Sequence, residues 1–300
     1  MAQVFLVCEG ERNSVDLRLL DAILAQRYGL PVQIEPGGGA NQPRIVRRWL
    51  EQRVPGDTAI LIHDRDYEPL PPILSGWGDP NERCLFWTAH EIENYILEPW
   101  LIHELFDDYR RTVAAGWVGR LLPDAAAVDA VLQAEARRLF NDHVGRTLCG
   151  ELRRHKGTLG NTEINVPPVD PLAGTAAQWQ AEIQAQITRL HATCAAVAAT
   201  PDFQAINVLA AWGTIEAAVT QPVYLASGRY RQEMKGKRLL NLLWEHLRRH
   251  CGYPGTQDRL TDDLVGTARR VYQSVPHYTF ADFDNLANRL RIATGVPTIP

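Results

Sequence analysis

The chain has 300 residues, of which 45% are apolar and 22% charged, and its formal net charge is −4. Such a composition supplies enough apolar surface for a folded core and excludes a disordered, collagen-like or disulfide-built protein. The acidic balance also argues against a protein that coats nucleic acid non-specifically, although a nucleic-acid enzyme can combine an acidic site with a local basic patch.

The cysteines and the apolar runs favour a cytoplasmic protein without a membrane segment. The cysteine count is odd and no pair has CxxC spacing, which is typical of free thiols in a reducing compartment. The first residues, MAQVFLVCEGER, lack the basic region of a signal peptide, and no apolar run approaches the ~20 residues of a membrane span. The cysteines are Cys8, Cys84, Cys149, Cys194 and Cys251.

Four short apolar runs within residues 1–100 predict the strands of a sheet. The runs are continuous rather than alternating, which is typical of parallel strands that are buried on both faces. The predicted strands are residues 4–8, 32–34, 59–62 and 84–87.

Helical segments alternate with these strands. The first helix is capped by Asn13 or Ser14, and the second begins near Pro43. Residues 69–81, rich in proline and glycine, predict a loop, and a further helix begins near Thr88. The apolar face of the second helix carries Ile45, Val46, Trp49 and Leu50.

This alternation predicts an α/β fold, in which a parallel sheet is flanked by helices. Beyond residue 100 the strand signals fade and helical periodicity dominates, as at residues 176–199 and 239–250, with a loop at residues 166–175. We therefore predict a sheet domain over residues 1–100. Residues 101–300 form a mainly α-helical accessory region for substrate binding, oligomerisation or partner docking.

Carboxylates follow three of the predicted strands, at the edge where parallel sheets bind ligands. Carboxylates that converge repel one another by on the order of 4 kcal/mol per pair at ~4 Å, so they take up protons or bind a cation. Oxygen ligands favour Mg²⁺ or Mn²⁺ over zinc, and such a site serves phosphoryl chemistry. The motifs are Glu9-Gly10 after the first strand, Asp64-Arg65-Asp66 after the third, and Glu91 and Glu93 beyond the fourth.

These carboxylates also have structural alternatives. An Asp-x-Asp after a strand is often a turn or a helix cap, and Thr88-x-x-Glu91 has the spacing of a capping box. Glu93 has no such alternative and is therefore the preferred acidic site residue of its segment. Gly10, which lacks a side chain, would let a ligand approach the backbone.

The strand-end carboxylates resemble the two motifs of the Toprim domain, found in primases, topoisomerases, RecR-type repair proteins and OLD-type nucleases. The resemblance implies that Glu9, Asp64 and Asp66 hold a metal ion and are catalytic. The segment from His90 to Leu97 is similar to the IENYLL segment of the OLD-like branch, which adds Glu93 as a catalytic residue.

A later Gly236-Lys237 resembles the Gly-Lys of the same branch. It implies that Lys237 stabilises the scissile phosphate, with Lys235 as the alternative. The chain departs from the family pattern at one point. OLD-type proteins often have an aspartate four residues after the first glutamate, where this chain has Asn13. The nearest aspartate is Asp16, so the ligands of a second metal ion stay open.

The resemblance is closest to small Toprim proteins with a helical C-terminal half, some of which are nuclease effectors of bacterial anti-phage systems. It implies an Mg²⁺-dependent endonuclease that cleaves tRNA or DNA and is held inactive by an ABC-type ATPase partner, with homodimerisation left open. Two alternatives are a metal-dependent glycosyltransferase that uses Asp-x-Asp, and a non-catalytic Toprim module that binds a partner or nucleic acid.

A basic segment in the helical region suits a nuclease. Residues 225–250 carry seven Lys and Arg against two Glu, whereas residues 1–100 carry nine Lys and Arg against fifteen Asp and Glu. Such a segment can grip backbone phosphates, although an ordinary solvated helix face has the same composition. The predicted nucleic-acid-binding residues are Arg229, Arg231, Lys235 and Arg238.

Two weaker patterns concern other ligands. Backbone N–H groups of Gly37–Gly39 could reach a phosphate at a helix start, although a flexible loop is the simpler interpretation. His246, His250 and Cys251 have a spacing that suggests zinc, but a second cysteine pair is missing. Neither pattern changes the prediction of a metal-dependent nuclease.

Overall fold

The computed structural model describes residues 3–30, 32–38, 42–53, 57–66, 68, 70–156, 167–193, 205–274 and 280–295. Gly39, Cys194, the first residue of the predicted loop 166–175 and the end of the predicted helix 176–199 lie outside these ranges. None of the described helices is both long enough and apolar enough to cross a membrane.

The sheet has four parallel strands, in the order β2-β1-β3-β4. The predicted α/β class, the four strands and the parallel pairing are confirmed. β1 is buried along its whole length, as its continuous apolar run predicts. The strands are β1 Val4–Cys8, β2 Gln33–Pro36, β3 Thr58–His63 and β4 Cys84–Phe86.

Helices flank the sheet and make up most of the remaining chain. Those of the first half are α1 Val15–Asp21, α2 Gln42–Arg53, α3 Leu70–Gly78, α4 Pro99–Thr112, α5 Ala125–Arg138 and α6 Phe140–Lys156. They are followed by α7 Ala176–Thr193, α8 Ala205–Val219, α9 Pro222–Ala226, α10 Arg229–Glu233, α11 Gly236–His246, α12 Gln257–Ser274 and α13 Ala281–Thr294. Short turns of other helix types are Ala22–Arg27, Ile92–Ile96, Val118–Arg120 and Leu247–Cys251.

The chain divides into two compact units. The first consists of residues 1–65, 69–130 and 236–300, and the second of residues 66–68 and 131–235. The first unit contains the sheet together with α11, α12 and α13, so the late helices belong with the strands. The division of roles at residue 100 stays a prediction, and the compact units divide the chain at other residues.

Helix α2 covers one face of the sheet with only part of its predicted apolar face. Leu50 and the partly buried Val46 pack with Phe5, Val7 and Leu61 of the strands. Ile45 and Trp49, however, are 60% and 52% exposed. The predicted face was too wide, because adjacent helical positions diverge by about 100°.

The loop predicted at residues 69–81 is wrong for most of its length, since helix α3 occupies it. Pro71 and Pro72 lie in the first turn of α3, where a missing N–H costs no helical hydrogen bond. Arg289 of α13 donates hydrogen bonds to the carbonyls of Trp77 at 2.8 Å and Asp79 at the other end of α3. Because the capping residue lies more than 200 positions along the chain, the local sequence predicted a loop in place of this helix.

The helix predicted to begin near Thr88 starts later, as a 3₁₀ turn over Ile92–Ile96. Thr88 does not cap it, because its N–H and hydroxyl both donate to the buried carboxylate of Asp282, at 2.8 and 2.7 Å. Glu91 is itself the cap, and it exchanges hydrogen bonds with Asn94 in a reciprocal pair. Glu91 therefore takes part in capping, as predicted, but its partner is Asn94 and not Thr88.

Candidate metal-binding active site

Glu9 and His63 meet at the carboxyl ends of β1 and β3. The register pairs Cys8 with Ile62, so the next residue of each strand is brought alongside. His63 Nδ1 lies 2.5 Å from Glu9 Oε1, and His63 is buried. Burial lowers the pKa of His63, but the Cys84 and Glu9 side chains raise it to about 9. At neutral pH His63 therefore carries a charge that orients and partly neutralises Glu9.

Asp64 follows directly and lies among other carboxylates. Its Oδ1 accepts a hydrogen bond from Ile92 N at 3.2 Å. Burial raises the pKa of Asp64 well above its usual value, and the negative charges of four neighbours add to the rise. These neighbours are Asp16, Glu93, Glu91 and Glu9. Glu9 and Glu93 thus interact electrostatically with Asp64 within the first unit, and the joint metal-binding role of the three carboxylates stays a prediction.

The other two residues of the Asp-x-Asp motif, Arg65 and Asp66, differ in burial and in conformation. Arg65 is buried and donates from Nη1 to Thr88 O at 2.7 Å, which anchors the end of β3 to the segment after β4. Asp66 is exposed, has a φ of 48° and belongs to the second unit. A left-handed conformation is tolerated by aspartate in a turn, so the predicted metal role of Asp66 stays a prediction.

The Gly236-Lys237 pair packs on the 3₁₀ turn that carries the second acidic segment. Lys237 N donates to Glu91 Oε2 at 2.9 Å. A Cβ on Gly236 would lie 2.8 Å from Asn94 Oδ1 and 2.9 Å from Asn94 N, so only glycine allows this approach. Two motifs that are far apart in sequence therefore meet, and Glu91 fixes the start of α11.

Glu93 and Lys237 face each other beside this contact. Lys237 Nζ lies 3.6 Å from Glu93 Oε1, with the Glu93 side chain 6% exposed and the Lys237 side chain 58% exposed. Burial raises the pKa of Glu93 to about 7, although Lys237 opposes the rise. Burial lowers the pKa of Lys237, but the negative charges of Glu93 and Glu91 raise it by more, so the net shift is upward. The predicted acid and the predicted lysine thus form one charged pair.

A cavity of about 830 Å³ opens where β1 ends. The loop after β1, the start of α1 and the start of α12 form its walls. Its rim includes Asp262, which is paired with Arg18. The lining residues that concern the candidate site are Glu9, Asp16, Glu93 and Lys237.

Sequence reasoning gave His63 no role at this site and named Asp16 only as the aspartate nearest to Asn13. His63 contacts Glu9 and stacks on Phe86 with ring centroids 5.1 Å apart. Its position directly before Asp64 was a signal that could have found it. Asp16 is brought in by α1, whose cap is Ser14, as predicted.

The donor set suits a divalent cation by its chemistry. The carboxylates outnumber the nearby positive charges, and Glu93 Oε2 is buried with no hydrogen-bond partner among the described residues. Within the same described ranges, no three or more His, Cys, Asp or Glu side chains are grouped so that they could hold a metal ion as they stand. This also leaves the zinc pattern at His246, His250 and Cys251 without support. The Mg²⁺ or Mn²⁺ site stays a prediction that the donor chemistry fits.

The predicted nucleic-acid-binding residues divide between the two units. Arg229, Arg231 and Lys235 belong to the second unit and Arg238 to the first. Arg229 Nη2 pairs with Glu233 at 2.9 Å and its guanidinium lies over the Tyr224 ring. The nucleic-acid role of these four residues stays a prediction.

Gly37 and Gly38 already use their N–H groups within the protein. Gly37 N donates to Cys8 O at 2.6 Å, and Gly38 N donates to Gly10 O at 3.4 Å. The phosphate role considered for this loop is therefore not supported at these two residues. Both bonds tie the loop after β2 to the end of β1.

Comparison of the chain with protein-family models, with curated proteins and with solved structures gives no match. The geometry of the cavity and the motif resemblance therefore carry the functional argument.

Proposed function

We propose that this chain is a metal-dependent nuclease that cleaves phosphodiester bonds at the acidic cavity. The observation that carries the proposal is the buried carboxylate cluster around Asp64 and Glu93, next to Lys237 at the carboxyl edge of the sheet. Perturbed carboxylates in a cleft are typical of functional sites. The motif resemblance, on Glu9, Asp64, Glu93 and Lys237, supports the same activity.

A divalent cation would relieve the repulsion in this cluster. Burial is the largest cause of the raised pKa values of Asp64 and Glu93, and repulsion by neighbouring carboxylates adds to it. Glu9 and Asp64 would hold Mg²⁺ or Mn²⁺, with Asp66 as the further predicted ligand. The ion would supply an activated water and neutralise phosphate oxygens.

The protein groups have separate tasks around the substrate. Glu93, with a pKa near 7, can accept or release a proton close to neutral pH, which suits a general base. Lys237 places a positive charge 3.6 Å from Glu93, where negative charge on a phosphate would develop. His63 holds Glu9 in one orientation, and Glu91 holds the backbone of Lys237.

The wider function rests on resemblance alone. We propose a nucleic acid substrate, tRNA or DNA, gripped by Arg229, Arg231, Lys235 and Arg238. An ABC-type ATPase partner would restrain the nuclease within a bacterial anti-phage system.

The test is cleavage by the purified full chain of tRNA and of DNA, with Mg²⁺, Mn²⁺ or EDTA, followed by sequencing of the new ends. We expect metal-dependent ends that are lost in Asp64→Asn and Lys237→Met. They should be retained in Asp21→Asn, which changes an exposed carboxylate of α1. Cleavage that persists in EDTA or in Asp64→Asn would overturn the metal-dependent mechanism. No cleavage of either substrate by a metal-binding protein would instead favour the non-catalytic module.

A further inference from the structure

We infer that Arg12 binds a phosphate of the substrate strand that neighbours the phosphate being cleaved. The inference rests on the proposed function and deepens it, because it gives the acidic cavity a second contact with the substrate. The ligand class is a phosphodiester of a single nucleic acid strand. Arg12 holds the strand in place and takes no part in the metal chemistry.

Arg12 lies in a closed turn on the wall of the cavity. Ser14 N donates to Glu11 O at 3.0 Å, so Arg12 and Asn13 are the two central residues of a four-residue turn. Asn13 has a φ of 68°, a left-handed conformation that asparagine tolerates better than most residues. Arg12 itself is exposed and lines the cavity. The turn therefore presents a long cationic side chain at the cavity wall.

The loop that carries Arg12 is fixed on both sides of the turn. On one side, Gly38 N donates to Gly10 O at 3.4 Å, and Ser14 Oγ occupies the space that a Cβ on Gly10 would need. On the other side, Ser14 caps the start of α1. A loop that is already ordered gives up little conformational freedom when its arginine binds a ligand.

The charge of Arg12 is available to a ligand, unlike the other positive charges of the cavity. Lys237 Nζ lies 3.6 Å from Glu93 Oε1, and Arg18 pairs with Asp262. The Arg12 side chain has no hydrogen bond or ion pair with another residue in the described part of the chain. A phosphate can therefore bind Arg12 without breaking an ion pair, whereas Arg18 would first have to leave Asp262.

The other charges of the cavity make such a contact necessary for a polyanion. The lining carries six carboxylates against three cationic side chains. A strand held only at its cleaved phosphate would be repelled by this acidic lining. An arginine offsets the repulsion, since its guanidinium can bind a phosphate through two parallel hydrogen bonds.

The size and the lining of the cavity favour the backbone of a single strand. Its volume of about 830 Å³ lies within the range of pockets that hold one small molecule, which suits a short stretch of one strand better than a duplex. Among the described residues, none that lines the cavity is aromatic, so its walls offer no platform on which a base could stack. Binding in the cavity should therefore depend on phosphates and not on base sequence.

The test measures binding of a short fluorescein-labelled single strand to the full chain by fluorescence anisotropy, in EDTA and over a series of salt concentrations. The wild type is compared with Arg12→Gln, Arg12→Lys and the control Arg48→Gln. The control removes the same charge from an exposed position of α2 that does not line the cavity.

We expect Arg12→Gln to weaken binding about three- to tenfold at low salt. The slope of log affinity against log salt concentration should become shallower by about 0.7, the value for one lost contact with a single strand. Arg12→Lys keeps the charge and should keep the slope, and Arg48→Gln should match the wild type. In the Mg²⁺ cleavage assay, Arg12→Gln should raise KM and leave kcat unchanged, because the contact is the same in the ground state and the transition state.

The outcomes separate this inference from the proposed function. Equal affinity and equal salt slope in Arg12→Gln and Arg48→Gln would overturn the inference alone. Binding that depends on Arg12, in a wild type that cleaves no strand in Mg²⁺, would support the phosphate contact and overturn the nuclease. A wild type that neither binds a strand in EDTA nor cleaves one in Mg²⁺ would overturn both.

Discussion

Glu93 shows, at the scale of one residue, how burial sets the chemistry of the acidic cavity. Burial raises its pKa to about 7, from a model-peptide value of about 4.3. Between these two values the folded protein holds a proton that the unfolded chain has released. The free energy of unfolding therefore falls as the pH rises through this window.

We predict that Glu93→Gln removes this loss of stability. In EDTA, the wild type should lose on the order of 1–3 kcal/mol more than the variant between about pH 4.5 and pH 7.5. Urea unfolding at a series of pH values measures the difference. The exposed Glu11→Gln serves as the control and should follow the wild type. Parallel profiles for the wild type and Glu93→Gln would show that Glu93 titrates normally.

His63 changes stability in the same direction with pH, but its charged form is the one that stabilises the fold. Its folded pKa of about 9 lies above the usual ~6.5, so its stabilising charge is complete below about pH 6.5 and is lost as the pH rises through about 9. We predict that Glu9→Gln moves the titration of His63 to lower pH by at least about one pH unit. Histidine ring signals in NMR spectra report this titration. Glu11→Gln should leave it in place, and an unmoved titration in Glu9→Gln would contradict the pairing.

At the scale of elements, the strands could be predicted because each is a continuous apolar run. The register of the strands brings the ends of β1 and β3 together, which is why Glu9 and Asp64 could be predicted to lie at the same edge of the sheet. Helix α3 could not be predicted, since its C-terminal carbonyls are satisfied by Arg289 from the far end of the chain. The sequence named Asp16 only as a nearby aspartate, because its place in the cavity wall depends on the space left by Gly10.

The contact between α11 and the 3₁₀ turn gives an element-scale prediction. Gly236→Ala places a methyl group within 2.9 Å of Asn94 N, so the start of α11 must shift. We expect a loss of about 1–3 kcal/mol in the free energy of unfolding, with weaker activity because Lys237 moves. Chemical denaturation and the nuclease assay measure the two effects.

The matched control is Gly266→Ala, in the middle of α12. A Cβ there meets nothing within 4 Å, so alanine should stabilise the helix by about 0.5–1 kcal/mol. Equal effects of the two substitutions would mean that the close approach of Gly236 to Asn94 is not required.

At the scale of the whole molecule, residues near the C-terminal end of the sequence pack against the segment that follows β4. Asp282 accepts hydrogen bonds from Thr88 and from the buried Tyr95, and Phe283 packs edge-on against Trp87, with ring centroids 5.4 Å apart. The sequence pattern predicts only that Asp282 and Phe283 lie in a helix, because their contacts with distant residues depend on tertiary packing. The site's own lysine, Lys237, comes from the same late segment.

We therefore predict that a fragment of residues 1–100 does not fold by itself. Without residues 236–300, the N–H and hydroxyl of Thr88 and the hydroxyl of Tyr95 lose their acceptor. Each buried polar group left unpaired costs about 1–3 kcal/mol, against a total stability of about 5–15 kcal/mol for a typical domain. Near-ultraviolet circular dichroism and denaturant unfolding of the fragment, beside the full chain, measure this.

The same dependence can be tested within the intact chain. Asp282→Ala should lower the free energy of unfolding by about 2–4 kcal/mol, because it leaves the buried Tyr95 hydroxyl and two donors of the half-buried Thr88 without an acceptor. Ile292→Ala, at a position that is 61% exposed on the same helix, should change it by less than about 0.5 kcal/mol. A fragment of residues 1–100 that unfolds cooperatively, together with a neutral Asp282→Ala, would show that the strands and their first helices fold without the C-terminal segment.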